Sequence, residues 1–242
     1  MTILPVLDLL DGTAVRGVAG QRDLYQPVQS VLAPCGDAAA LARAYREQLS
    51  LQELYLADLD AILHARPNLS HYRALADSGS RILVDAGLRQ AEQARKLLDC
   101  GITAVVAALE TIAGPAVVGK LVRGHGAKQV VFSLDLLHGR PLGDTAPWAT
   151  LDAFELARQA IEAGIERMIV LDLAAVGTGG GPATAELCQE LRRTFPHLHI
   201  ITGGGVRRID DVRALVRAGA NQVLVASALH DAAIGRAEID AL

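Results

Sequence analysis

Aromatic side chains are scarce, with three Phe, four Tyr and one Trp among 242 residues. A core must therefore come from Leu, Ile, Val and Ala, and there is no series of rings on which bases could stack. Basic charge is also short: 23 Lys and Arg against 27 Asp and Glu give a net charge near −4, with no basic run. Neither nucleic acid nor an anionic membrane is expected as a partner. No apolar stretch approaches the ~18–20 residues of a membrane helix. The opening "MTILPVLDLLDG" lacks a basic segment and is interrupted by Asp8, which argues against a secretory signal. Three cysteines, Cys35, Cys100 and Cys188, lie far apart and outside any CxxC spacing. They suit a reducing, cytoplasmic setting and offer no zinc site.

What is present is alternation. Apolar, β-branched runs at 3–8, 53–58, 81–85, 103–108, 129–135, 167–172, 198–202 and 221–226 read as strands. Helical spacing lies between them, as in "DAAALARAYREQL" at 37–49 and "FELARQAIEAG" at 154–164. Near-continuous apolar strands belong to parallel sheets covered by helices. Gly79, Gly101, Gly164 and Gly219 each close a helical pattern just before a strand, where a left-handed residue is wanted. Eight such units in one chain predict a single (β/α)8 TIM barrel over 1–242, with a doubly wound sheet as the competitor.

The phrase "LDLLDG" at 7–12 returns as "LDLLHG" at 134–139. Asp58 in "YLADLDA" matches Asp172 in "IVLDLAA", "DAGLR" at 85–89 matches "GGGVR" at 203–207, and "VVAALE" at 105–110 matches "LVASAL" at 224–229. Four strand ends matching in order predict two similar half-barrels, approximately 1–124 and 125–242.

Barrel chemistry sits at the strand ends. Asp8 and Asp135 end opposite strands, and two carboxyl groups over one cavity can divide acid and base roles. Gly204 and Gly205 in "TGGGVR", with Ala226 and Ser227, lie after strands 7 and 8, the usual phosphate cradle of such barrels. The mirror position after strands 3 and 4 retains only Gly87 of three glycines and gains Asp85, with Arg89 as an available cation. The segments 9–35 and 177–187 read as mobile loops over the mouth, the first offering Arg16 and Arg22, the second Thr178 and Gly179. "GTGGGPATAEL" lacks the spacing and the distant acid of a dinucleotide fingerprint. His138 is near enough to touch ligand. "HLH" at 197–199 opens strand 7, away from the chemistry and without accompanying carboxylates, so no metal is expected. No lysine ends a strand, which argues against a protein Schiff base.

These residues resemble a known family. "ILPVLDLLDGTAVRGVAG", "YLADLDA", "VFSLDLLHGR", "IITGGGVRRIDDVRAL" and "VLVASAL" are similar, in order and over essentially the whole chain, to the HisA/HisF barrels of histidine biosynthesis. In the HisA branch the resemblance implies an Amadori rearrangement of a phosphoribosyl aminoaldose, without metal or cofactor. Asp135 would then be the general acid and Asp8 the base. The match departs at strand 6, where Leu171 and Val176 stand at the family's hydroxyl and aspartate positions, and at strand 3, where "DAG" replaces "GGG". The resemblance and its departures imply an aldose–ketose isomerase on a phosphorylated sugar or aminosugar, with a paralogue linked to methanopterin-type cofactors as the expected setting. The alternatives are the orthodox phosphoribosylformimino-AICAR-phosphate isomerase and a non-catalytic phosphate-binding scaffold. A monomer or small homo-oligomer is expected, and the sequence identifies no protein partner.

Overall fold

Eight parallel strands carry the chain: β1 (Ile3–Leu10), β2 (Glu53–Asp58), β3 (Arg81–Asp85), β4 (Ala104–Ala108), β5 (Val130–Leu137), β6 (Arg167–Asp172), β7 (His199–Gly203) and β8 (Gln222–Val225). This is a computed structural model, and it describes residues 2–178 and 180–242. Each strand pairs with the next, and β8 returns to β1 through Ile3↔Val223, Leu4↔Leu224 and Pro5↔Val225. The sheet is thus a closed (β/α)8 barrel, and the doubly wound alternative is excluded.

Local chemistry explains the joints. Asp37 and Asp152 cap their helices by accepting from Ala40 N (2.9 Å) and Glu155 N (2.8 Å), satisfying helix-start donors. Gly79, Gly101, Gly164 and Gly219 have φ of +84°, +85°, +104° and +103°, the conformation a side chain would disfavour. Among the described residues no helix is long and apolar enough to cross a membrane.

Side chains alternate across a strand, so in a closed barrel every second residue enters the interior. Leu4, Tyr55, Leu83, Val106, Val131, Ile169, Ile201 and Leu224 form the inner core. Leu7, Leu56, Val84, Val105, Leu134, Val170 and Ile200 join the layer beneath the helices. Counting by twos from the inner set leads to Asp8, Asp85 and Asp135 at the mouth. Asp58 and Asp172 have the opposite parity and do structural work. Asp58 accepts from Ala61 N (2.9 Å), Asn68 N (3.2 Å) and the Tyr72 hydroxyl. Asp172 accepts from His138 N (3.1 Å), Gly139 N (2.7 Å) and Ala174 N (3.0 Å).

The segment 9–35, expected as a mobile loop, contains a short antiparallel ribbon. β1 runs past Asp8 to Leu10, turns at Asp11–Gly12 and pairs antiparallel with Thr13–Arg16, which in turn meets Gln26–Pro27. Asp11 and Gly12 have φ of +49° and +74°, as a two-residue hairpin of type I′ requires. The second copy does the same: His138 and Gly139, at φ +53° and +75°, return β5 onto Arg140–Pro141. The repeated phrase therefore encodes a strand end followed by a hairpin.

At the other end of the barrel, Glu53 pairs with Arg167 (3.3 Å) and accepts from Gln222 Nε2 (3.0 Å). His199 joins through Gln222 Oε1 (2.9 Å). His199 of the "HLH" motif thus belongs to a polar floor.

Asp58→Ala leaves two amide donors and a buried phenol without their acceptor. It is expected to cost about 3 kcal/mol, read as a lower urea midpoint with little change in slope.

Candidate active site

The strand ends surround a cavity of about 440 Å3 lined by Asp85, Glu110 and Asp135 from β3 to β5, by Gly204, Gly205, Ala226 and Ser227 after β7 and β8, and by Asp8 from β1, opposite Asp135. Asp135 and Asp85 are 7% and 6% exposed; Asp8 is half-buried. Parity places all three, and Glu110 continues the inward series of β4 beyond Ala108.

Each carboxyl has its own surroundings. Asp135 Oδ1 accepts from the Ser133 hydroxyl (2.7 Å), two residues down the same inner row, while Oδ2 is buried without a hydrogen-bond partner. Asp85 Oδ1 accepts from Gly87 N (3.0 Å), and Oδ2 accepts a long bond from the Tyr55 phenol (3.4 Å). Gly17 leaves room for Asp8, since a Cβ there would lie 2.8 Å from Asp8 Oδ2 and 3.5 Å from the Tyr25 hydroxyl oxygen. Glu110 takes both oxygens to Arg22 Nη2, at 2.9 Å each. Arg22, on the ribbon, is thereby held over the mouth.

Burial governs the protonation states. It pushes Asp8 up to about 7, opposed by the Arg22 guanidinium and assisted by Asp85. It pushes Asp135 further, to about 8, with the negative charge of Asp85 adding and the Ser133 hydrogen bond opposing. Asp85 reaches about 6 through burial, relieved by its bond from Gly87 N–H. The arginine thus separates the two opposed carboxyls by favouring ionised Asp8.

The facing wall is built differently. Gly204 and Gly205 have φ of +85° and +72°, and a Cβ on Gly205 would meet Gly181 O at 2.6 Å. Arg16, from the ribbon, donates to Ser227 Oγ (3.1 Å) and Asp231 Oδ2 (2.6 Å). Arg207 also lines this side. Arg16, Ser227, Ala226, Gly204 and Gly205 therefore line one cavity.

Other expected residues fall elsewhere. Gly87 is buried with its Cβ direction against Ile62 Cα at 2.7 Å, so its missing side chain accommodates a neighbouring helix. Arg89 donates to Gly87 O and Ile62 O, both at 3.0 Å, and neither residue lines the cavity. Thr178 is at the rim, but its hydroxyl donates to Ala175 O (3.0 Å); Gly179 lies outside the described residues. His138 borders a shallow groove beside Gly139 and Asp172. Gly177 lies close to the first ribbon: a Cβ there would lie 2.3 Å from Gly17 O. Leu171 and Val176 both line the cavity. Among the described residues no group of three or more His, Cys, Asp or Glu is arranged to hold a metal ion. The sequence reading missed Glu110, Tyr25 and Tyr55; counting inward positions past each strand end would have found Glu110.

The family model described as "Histidine biosynthesis protein" matches residues 2–235. An uncharacterized protein of Methanocaldococcus jannaschii is 29% identical over 242 residues, covering 99% of this chain and 97% of the relative. Two relatives, from Leuconostoc mesenteroides and Roseiflexus castenholzii, are named 1-(5-phosphoribosyl)-5-((5-phosphoribosylamino)methylideneamino) imidazole-4-carboxamide isomerase. The first is 27% identical, covering 98% of both chains; the second is 30% identical, covering 95% of this chain and 94% of its own. None of these names supports the methanopterin-linked setting expected from the sequence.

The raised carboxyls make stability fall with rising pH. The folded state binds their protons more tightly than the unfolded chain, so their contribution is full near pH 4 and is lost as pH rises through about 6 to 8. Asp135→Asn is expected to remove the largest single part, on the order of a few kcal/mol. Urea midpoints at pH 5 and pH 9 should differ less in this variant than in the parent protein.

Proposed function

We propose, for a chain that belongs to the histidine biosynthesis protein family, that it performs the aldose–ketose isomerisation named for its relatives, on a phosphoribosylamine-type substrate. The observation that carries the reading is the pair Asp8 and Asp135 on one cavity, with carboxyl groups raised unequally to about 7 and about 8. This reading stands nearer the histidine-pathway isomerase than a methanopterin-linked paralogue.

The sugar phosphate would rest against Gly204, Gly205, Ala226 and Ser227, with Arg16 turning from Asp231 toward it. Protonated Asp135 would give its proton to the ring oxygen as the C1–O bond breaks, and the nitrogen lone pair would form C1=N. Ionised Asp8 would remove the C2 proton, and that electron pair would form the C1–C2 double bond of an enolamine. Ionised Asp135 would then take the O2 proton while protonated Asp8 returns a proton to C1, completing the aminoketose and restoring both carboxyl groups to their starting states.

Asp8→Asn and Asp135→Asn, made singly, are expected to lower kcat by about 10²–10⁴ while inorganic phosphate still binds. Unchanged turnover in both variants would leave only phosphate binding. In the parent protein kcat/KM should rise as Asp8 ionises through about 7 and fall as Asp135 ionises through about 8. The outcome is a narrow maximum between those values in a pH-rate profile.

A further inference from the structure

Ser133 and Asp135 stand two residues apart on β5 and so share its inward row. Ser133 is 1% exposed and does not line the cavity. Its hydroxyl donates to Asp135 Oδ1 at 2.7 Å. The other oxygen, Oδ2, is shut away from solvent and has no hydrogen-bond partner. The two oxygens of one carboxyl group are therefore unequal before any substrate arrives.

A hydroxyl suits both states of an acid, because it accepts through its oxygen and donates through its hydrogen. Beside neutral Asp135, Ser133 Oγ can accept from Oδ1–H. Beside ionised Asp135 it donates to the charge left behind, in a bond about twice as strong as a neutral one. A proton on Oδ2 would have no acceptor, and a buried polar group without a partner is costly. The arrangement thus favours Oδ1 as the seat of the proton and tightens as the proton leaves. Stabilisation that grows in this way speeds a reaction. The other neighbours do not distinguish the oxygens so directly. Asp85 at the end of β3 and Glu110 beyond β4 act on the carboxyl by charge, and the Glu110 N–H faces it with less influence than the Ser133 hydroxyl. Glu110 is itself paired with Arg22 of the ribbon, and the Tyr55 phenol of β2 is turned to Asp85. On β6 Leu171 has no polar group, and Asp8 on β1 stands across the cavity.

We infer that Ser133 is a positioning residue that keeps the transferable proton of Asp135 on Oδ1 and steadies the carboxylate once that proton has gone to the sugar ring oxygen. The inference rests on the isomerase reading above and adds to it a residue that touches no substrate. The Oδ1–H bond breaks as the ring oxygen takes the proton with the electron pair released from its bond to C1. Ser133 turns its own hydrogen to Oδ1 without giving it up, and the same Oδ1 later receives the O2 proton.

Ser133→Ala removes the hydroxyl while keeping the strand filled, and it is read in two ways. The first is turnover of the imidazole-carboxamide substrate in the relatives' name. The maximum of kcat/KM is expected to fall about threefold to tenfold. The alkaline limb should move up by about 0.5–1 in pH, with the acid limb, set by Asp8, in place. An enzyme that is slower yet persists to higher pH has a weakened acid, whereas mere loss of packing would lower the rate and leave both limbs alone. The second reading needs no substrate. Without the hydroxyl the folded carboxyl holds its proton more tightly, so the fall in urea midpoint from pH 5 to pH 9 should be larger than in the parent protein. An alkaline limb that stays put or moves down overturns the inference about Ser133 alone, as does an unchanged urea difference. A parent protein that binds this substrate without turning it over overturns the isomerase reading itself, whatever the urea comparison shows.

Discussion

One guanidinium, Arg22, stands among four carboxyl groups at the closed mouth of the barrel. Desolvation favours the neutral form of Asp8, Asp85 and Asp135, and the cation opposes it at Asp8 and Asp85. Arg22 forms a two-oxygen ion pair with Glu110 while both are partly shielded from solvent. That geometry makes the pair more than a surface contact, whose usual worth is small. The same pair ties the ribbon to β4, so loop position and electrostatics are set together. Burial raises both Asp8 and Asp135 and Asp85 adds to each, while the cation opposes the rise at Asp8.

The repeated phrase shows how little sequence is needed to fix such a site. In both copies an inward aspartate is followed by two more strand residues and a two-residue turn with positive φ. The next strand is entered in the same register: Asp8 is opposite Ala57 with Leu9 opposite Asp58, and Asp135 is opposite Leu171 with Leu136 opposite Asp172. Asp58 and Asp172 then hold their own loops by accepting backbone N–H groups. The inward and the loop-holding aspartates differ by one residue of parity, and a one-residue slip would exchange their faces.

Much of this was legible before any coordinates. Eight strands fell within two residues of their apolar runs because buried parallel strands advertise themselves by composition, and glycine marked the returns because only it takes those φ values cheaply. Asp8 and Asp135 were legible because they repeat. The ribbon was not, because polar and glycine residues in 11–36 masked a hairpin that Asp11–Gly12 does signal. Gly87 and Arg89 were misplaced as cradle groups because a motif cannot say what its backbone faces; here it faces Ile62 and the neighbouring helix. Glu110 escaped notice because it lies beyond the apolar run of β4, where inward parity persists after the strand hydrogen bonds have ended. Arg22 was noticed but not weighted, since a loop arginine reveals its partner only in three dimensions.

The departures at Leu171 and Val176 acquire a physical meaning in this setting. Both line the cavity, and Leu171 sits opposite Asp135 in the sheet register. Apolar groups beside a carboxyl supply no hydrogen bond to its ionised form and exclude water that would. A hydroxyl at 171 could donate to Asp135 and draw its proton affinity down, as Ser133 already does in part. An apolar Leu171 opposite Asp135 therefore adds no hydrogen bond to offset the burial that raises this carboxyl to about 8. The site can thus do acid–base work with fewer polar residues, provided burial raises one carboxyl and a cation restrains the other. That condition is what the positions of Asp135, Leu171, Asp8 and Arg22 jointly meet.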